Sequence, residues 1–294
     1  VIHEDEHYVY PLAPWVEVNK LHQYRVQGMN LNPKGVELAM TSVSTIAGLV
    51  SGFDGKRWAA KLALEHNDVT AYEKVSAGFA ETGNIHHRHI KNLAMSGTLE
   101  EYMDSLGTPW GLNYEMFTGW ILHMKERGIE PTLDFLATEM YVYNQSMNYG
   151  GQLDAIALYQ GKPTIFDWKT TTKGGASIKS ASHAVQVGGY YLALQEMIAN
   201  QDKRCREYAE ANPASKDGAR GYPFKLPEQA FVVYSFRDAP RELQFERGAL
   251  CQITYRKLVR GPAPTAVMLT AVGAGRLIAP MKLGIAWHVG PRTT

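Results

Sequence analysis

Apolar and polar positions follow two rhythms along this chain, and the change falls near residue 130. Before it, apolar residues recur three and four apart, the spacing of amphipathic helices. The run 41–53 predicts a helix entered through Ser42 or Ser44, with Ile46, Leu49 and Val50 on one face. Helices follow over 56–65, with Trp58 and Leu62 inward, and over 71–95, 99–105 and 112–127, the last burying most of Met116, Trp120, Leu122 and Met124. After it the period shortens to two. Residues 133–144 end in a strand that puts Glu139, Tyr141 and Tyr143 on one face, and 152–159 and 164–170 flank the turn Gln160-Gly161-Lys162-Pro163 as a β-hairpin. A flexible link at 173–176, a strong helix over 182–200, a strand at 231–236 and a helix over 245–259 complete the pattern. Residues 1–40 read as an irregular arm, 201–228 as a helix end with a mobile loop, and 261–294 as a tail without sustained period apart from a short strand at 285–289. The order predicts an α/β fold with a central mixed sheet flanked by helices and an N-terminal helical elaboration. One domain spans 41–260, helical over 41–130 and sheet-forming over 131–260.

Composition narrows the class. A chain of 294 residues that is 45% hydrophobic can bury a substantial core. Its formal charge of +1 gives no global field for nucleic acid, so any such contact must come from a local groove whose basic residues are offset by acids elsewhere. Cys205 and Cys251 are too few for a disulfide framework or a four-cysteine cluster and suggest a reducing compartment. The start, Val1-Ile2-His3-Glu4-Asp5-Glu6, has the form of neither a signal peptide nor a transit peptide, and no run approaches a membrane span. A cytoplasmic protein of bacterial or phage type, with no membrane contact, is the expectation.

Candidate chemistry concentrates in the hairpin. Side chains alternate along a strand, so Asp167 and Lys169 share a face. If Gly161 and Lys162 form the loop, Tyr159 pairs with Thr164 and Asp154 lies across from Lys169, with Asp167 on the neighbouring diagonal. Two convergent carboxylates suit a hard cation such as Mg²⁺, and the lysine adds a fixed positive charge beside them. Such a trio can orient a water for attack on a phosphodiester and stabilise the charge that develops. A solvent-facing hairpin with charges on its wet side is the alternative. Ile165, Phe166 and Trp168 around Asp167 favour a central strand buried on both faces, where a carboxylate needs a partner or a metal.

Asp154 followed by Asp167-Trp168-Lys169 resembles the Asp…(Asp/Glu)-x-Lys signature of the PD-(D/E)xK nuclease superfamily, and Gly151-x-x-Asp154 with Asp167-Trp168-Lys169-Thr170 looks like its RecB-type branch. Ser42-Val43-Ser44-Thr45-Ile46, Trp58 and Gly83-Asn84-Ile85-His86-His87 are similar to the layout of the mitochondrial genome maintenance exonuclease branch, which spreads the likeness over roughly residues 41–200. The resemblance implies a restriction-endonuclease-like core. It also implies a metal ligand four residues after Gly83, which is His87; His86 and His89 lie on other helix faces, since successive residues turn by ~100°. One or two Mg²⁺ or Mn²⁺ ions would be held by His87, Asp154, Asp167 and the backbone carbonyl of Trp168, with no iron–sulfur cluster. Glu139 matches a glutamate that the branch carries on the strand before the hairpin, although an exposed strand carboxylate is the other reading. Gln186 and Tyr190, one helical turn apart, match a further signature that places the glutamine near the active site and the tyrosine near DNA.

The resemblance implies hydrolysis of DNA, single-stranded and from a free end, in replication, recombination or repair. Tyr141, Tyr143, Tyr149, Trp168, Tyr190 and Tyr191 are candidates to stack bases, and Lys173, Lys179, Arg204 and Arg206 to follow phosphates. An endonuclease with the same site, or a non-catalytic nucleic-acid-binding module, are the rival readings.

Overall fold

The computed structural model describes residues 16–21, 23–28, 35, 39–49, 54–107, 111–199, 226–248, 272–273 and 276–277. The first elements are a small antiparallel hairpin, β1 (Val16–Val18) and β2 (Tyr24–Val26), then β3 (Thr41–Ser42) and α1 (Val43–Gly48). Four helices follow: α2 (Gly55–His66), α3 (Ala71–Met95), α4 (Leu99–Ser105) and α5 (Leu112–Glu126). The main sheet is built from β4 (Phe135–Asn144), β5 (Tyr149–Tyr159), β6 (Lys162–Thr171), β7 (Gln229–Phe236) and β8 (Ala239–Arg247), with α6 (Lys173–Ala199) between β6 and β7. A further two-stranded piece pairs β9 (Val272–Gly273) with β10 (Arg276–Leu277).

The fold is an α/β sandwich of the restriction-endonuclease-like kind, with a mixed central sheet ordered β3-β5-β6-β7-β8 and β4 also paired with β5. β5 runs antiparallel to β4 and β6, β7 parallel to β6, and β8 antiparallel to β7. Each face of the sheet buries its own core. On one, Val43 of α1 and Val187, Tyr190 and Leu194 of α6 pack on Met140, Val142, Ile165 and Val232. On the other, Ile90 and Leu93 of α3 and Phe117 and Trp120 of α5 pack on Phe166, Trp168 and Val233. Trp168 is the hub of this second core. Its ring meets Trp120 edge-on at 5.4 Å and stacks with Phe166 at 5.3 Å. Pro163 to Trp168 are buried without interruption, as a central strand covered on both faces requires.

β5 has a divided edge, and this positions the site. β4 lies along one edge of β5, so β6 and β3 must share the other: β6 pairs with Ala155 to Tyr159, and β3 with Tyr149 and Gly150. Gly151 to Asp154 face the gap between them.

The observed elements depart from the expected ones at several places. Thr41 and Ser42 join the sheet, and α1 begins after Ser42, whose hydroxyl accepts the Ser44 N–H; Leu49 is 65% exposed, not inward. Leu122 likewise points outward from α5. Part of the supposed irregular arm is ordered, with Val16, Tyr24 and Val26 buried against the sheet. Lys173 to Ala176 are not a flexible link but the first turn of α6. Thr172 caps that turn through both its carbonyl and its hydroxyl, and Gly175 is required because a Cβ there would strike the Thr171 hydroxyl. Phe245 to Arg247 belong to strand β8, so the helix expected from 245 does not begin there, and its remainder from 249 lies outside the described residues. Of the helix end and loop expected at 201–228, residues 201–225 also lie outside them, as does the strand expected at 285–289. Among the described residues, no helix is long and apolar enough to cross a membrane.

The contact between α1 and α6 depends on an absent side chain. A Cβ on Gly189 would overlap Val43 Cγ2. Gly189→Ala should therefore cost about 1–3 kcal/mol by overpacking. Val43→Ala removes the obstructing methyls, so the double variant should lose less stability than the two single losses added together. Urea denaturation of the four proteins measures this, and strict additivity would refute the contact.

Candidate active site

The hairpin turn is Gln160-Gly161, with φ of 54° and 73°, so both central residues are left-handed as a two-residue type I′ loop requires. Tyr159 consequently pairs with Lys162 and not with Thr164. The expected register was off by two residues, and an offset of two preserves faces. Extended by one pair, the observed register sets Asp154 opposite Asp167 and not Lys169. That ladder ends at Ala155 and Phe166. One step further the strands part, and the Trp168 N–H donates to Asp154 Oδ2 at 2.7 Å. A carboxylate thus stands where a strand carbonyl would otherwise accept.

Around this opening the polar groups converge. His87 Nδ1 lies 3.5 Å from Asp154 Oδ1, and Lys169 Nζ lies 2.7 Å from Oδ2 of the fully buried Asp167. Gln186 Nε2 donates to Asp167 Oδ1 at 3.4 Å and to the Tyr190 hydroxyl at 2.6 Å. Glu139 also arrives: one ligand atom each from His87, Glu139 and Asp154 lie within 4.8 Å of one another. Its backbone is left-handed at φ 54°, a conformation that costs a non-glycine residue roughly 1–3 kcal/mol and is characteristic of functional sites. The simple alternation read from 138–143 breaks at that residue. α3 supplies His87 because Gly83, one turn earlier, lets the helix settle against Thr170, where a Cβ would sit 3.0 Å from Oγ1. Of the neighbouring histidines, His86 bonds Ser235 Oγ in the core at 2.9 Å and His89 bonds the Tyr102 hydroxyl at 2.8 Å. Only His87 turns to the carboxylates.

Residues 68–257 match the family model described as the PD-(D/E)XK nuclease superfamily. This chain belongs to that superfamily. The human protein named mitochondrial genome maintenance exonuclease 1 is 27% identical over 183 residues, which cover 61% of this chain and 49% of the human one. The match thus spans about half the length of that relative. Asp154, Asp167 and Lys169 stand together at the parting of the two strands that carry them, with His87 and Glu139 alongside.

The donor set fits a divalent cation. One imidazole nitrogen and two carboxylates form a small oxygen-rich cradle, with Asp167 beside it. Three carboxylates share the site with one ammonium and one imidazole, which leaves negative charge to neutralise. The protonation balance reflects the strain. Burial drives the Asp167 carboxyl up to about 6, against the pull of Lys169 and with a further push from Asp154. Burial also raises Glu139, and Asp154 adds to it. For Asp154, burial acts upward, but His87, through charge and hydrogen bonding, and Lys169 bring it below its usual value. Burial disfavours the charged forms of His87 and Lys169, yet their acidic neighbours outweigh it and both are raised.

Several expected DNA contacts do not have the required exposure. Tyr190 is 3% exposed; its ring packs where Gly151 lacks a Cβ, and its hydroxyl serves Gln186. Tyr143, Tyr149 and the Trp168 ring are also buried, so they cannot stack bases as placed. Tyr141 is half-buried, with its ring edge-on to Tyr24 at 6.3 Å. Lys173 is exposed but pairs with Glu242 at 2.7 Å. The side chains of Lys179, Arg204 and Arg206 lie outside the described residues. Sequence reading missed the left-handed turn at Glu139 and overlooked Arg237, which has no local motif to announce it.

Two outcomes follow for the metal-free protein. Added Mn²⁺ should raise its melting temperature, and His87→Ala, Glu139→Gln and Asp154→Asn should each weaken the apparent affinity on the order of tenfold or more. Equal stabilisation of all four proteins would remove these residues from the cradle. The second concerns pH. Asp167 titrates near 3.8 when unfolded and near 6 when folded, so between those values the folded form binds more protons. Its contribution to stability is present at low pH and lost as pH rises through about 6. In chelator, Asp167→Asn should exceed the native protein in stability above pH 6 by on the order of 1–3 kcal/mol, with the gap closing toward pH 4. A gap independent of pH in denaturant titrations would contradict the shift.

Proposed function

We propose that this protein is a divalent-metal-dependent deoxyribonuclease of the RecB-like type that digests single-stranded DNA from a free end. The observation that supports it best is the meeting of His87, Glu139, Asp154, Asp167 and Lys169 in the gap along β5. His87, Asp154, Asp167 and the Trp168 carbonyl would hold Mg²⁺ or Mn²⁺, with Glu139 as a further ligand. Bound there, the ion would polarise a phosphodiester oxygen and make water a better nucleophile at neutral pH.

The protein's own groups do the positioning. Lys169 keeps its ammonium at the site through Asp167, from where it can orient the attacking water and stabilise negative charge at the phosphorus. Gln186 fixes Asp167 from α6 while Tyr190 fixes Gln186. Tyr190 accordingly acts as a positioning residue in this reading. The Trp168 N–H holds Asp154, and its hydrogen bond aligns the carboxylate before any ligand arrives. Digestion from an end is carried over from the name of the human relative, and a role in replication, recombination or repair follows from that activity.

The test uses 5′-labelled and 3′-labelled single strands, duplexes and closed circular single strands, with Mg²⁺, Mn²⁺ or chelator. Linear single strands should be shortened from one end only with metal, and circles should survive. Opened circles would make the enzyme an endonuclease. Lys169→Ala should lose at least ~10²-fold in cleavage while retaining DNA binding, and undiminished cleavage would remove Lys169 from its proposed role.

A further inference from the structure

Arg237 follows the last residue of β7, and its backbone N–H donates to the Thr171 carbonyl at 2.8 Å, just past Lys169 on β6. Its guanidinium lies over the Phe79 ring with Cζ 3.6 Å from the centroid. Phe79 also stacks with Trp58 of α2, centroids 6.1 Å apart and planes within 14°, and Tyr72 meets the Trp58 ring edge-on at 5.2 Å. Side chains far apart in sequence thus form one column, Tyr72, Trp58, Phe79 and Arg237. Arg237 is half-buried and makes no salt bridge among the described residues, although the charge of its chain neighbour Asp238 acts on it. The Asp238 carboxylate accepts the Lys173 N–H instead. Burial pulls the guanidinium's pKa down, yet an arginine remains charged at any working pH.

A cation held by an aromatic face, partly desolvated and without a salt bridge, has its donor fork available for a planar or tetrahedral anion. The placement says which anion. Phe79 precedes His87 by eight residues on α3, ~12 Å at ~1.5 Å per residue. Tyr234 is level with Lys169 in the β6–β7 register, and Arg237 lies three residues beyond, ~10 Å along the strand. The column therefore stands on the α3 side of the sheet, ~10–12 Å along β7 and α3 from the level of Lys169 and His87. We propose that Arg237, held by Phe79 and Trp58, is a phosphate-binding subsite that grips the backbone of the DNA strand next to the scissile bond. This rests on the nuclease reading for its substrate. The subsite carries no sequence information, because it engages phosphate and not base edges.

Binding of a fluorescein-labelled oligothymidylate, followed by anisotropy in chelator across a salt series, tests the subsite without cleavage. Arg237→Gln should weaken binding on the order of tenfold and reduce the slope of log affinity against log salt by about 0.7, the loss of one phosphate contact on a single strand. Arg237→Lys should keep the slope but bind more weakly, because an ammonium cannot lie flat on Phe79 with its fork extended. In cleavage assays with metal, Arg237→Gln should raise KM while leaving kcat near the native value. If Arg237→Gln fails to fold, judged by its melting curve, Arg237→Lys decides: weaker binding at unchanged slope supports the subsite, and native affinity overturns it. Native affinity and slope in a folded Arg237→Gln also overturn it, whatever its cleavage rate. A native protein that binds the oligonucleotide through Arg237 but never cuts it leaves the subsite standing and defeats the nuclease reading alone.

Discussion

Asp167 is cut off from water altogether, and that one burial sets the terms for everything near it. An isolated carboxylate in such a place would cost several kcal/mol and would take up a proton. Here Lys169 answers it with charge and Gln186 with a hydrogen bond, while Asp154, close enough to repel it, is itself answered by His87 and the Trp168 N–H. The balance is incomplete, since Asp167 still titrates near 6 and Glu139 brings another acid to the same place. A protein that assembles this much uncompensated negative charge in a confined space has prepared a place for a cation.

The space itself comes from backbone packing. The gap along β5 exists because β6 leaves that strand after Ala155 while β3 rejoins it only at Gly150. Its walls are held close by residues that lack side chains: Gly150 admits Tyr24, Gly151 admits Tyr190, and Gly189 admits Val43. α3 is brought to the sheet in the same way by Gly83 against Thr170. Rigid elements, not loops, therefore carry the converging groups. His87 comes from a helix, Asp154, Asp167 and Lys169 from strands, and Gln186 from a second helix, which is the arrangement that keeps catalytic geometry tight.

Much of this was legible in the residues. Helices α3 and α4 stand about where the 3.6-residue period puts them, and the family resemblance singled out His87 while a turn of ~100° per residue set His86 and His89 on other faces. Asp154, Asp167 and Lys169 meet although the expected register was two residues off; the ladder ends one pair short of Asp154, whose carboxylate reaches the Trp168 N–H between the strands. What stayed hidden had non-local or conformational causes. β8 is an edge strand whose exposed positions are polar, so Arg241, Glu242, Gln244 and Arg247 mask its period. The glycines at 174 and 175 suggested flexibility, whereas Gly175 answers a close approach to Thr171. No pattern announces that Glu139 turns left-handed, or that Trp58, Phe79 and Arg237 meet.

The buried aromatics bear on how a strand would be held. Tyr143, Tyr149, Trp168 and Tyr190 look from the sequence like a base-stacking platform, yet each is buried where its ring packs the core. Stacking on those rings would require opening that core, at a cost set by their lost burial. A substrate strand entering this site therefore meets charge before it meets rings. Lys173 is already paired with Glu242, whereas Arg237 lies on Phe79 without a salt bridge among the described residues. Recognition through the phosphate backbone is indifferent to base identity, which is what the proposed digestion from an end would require.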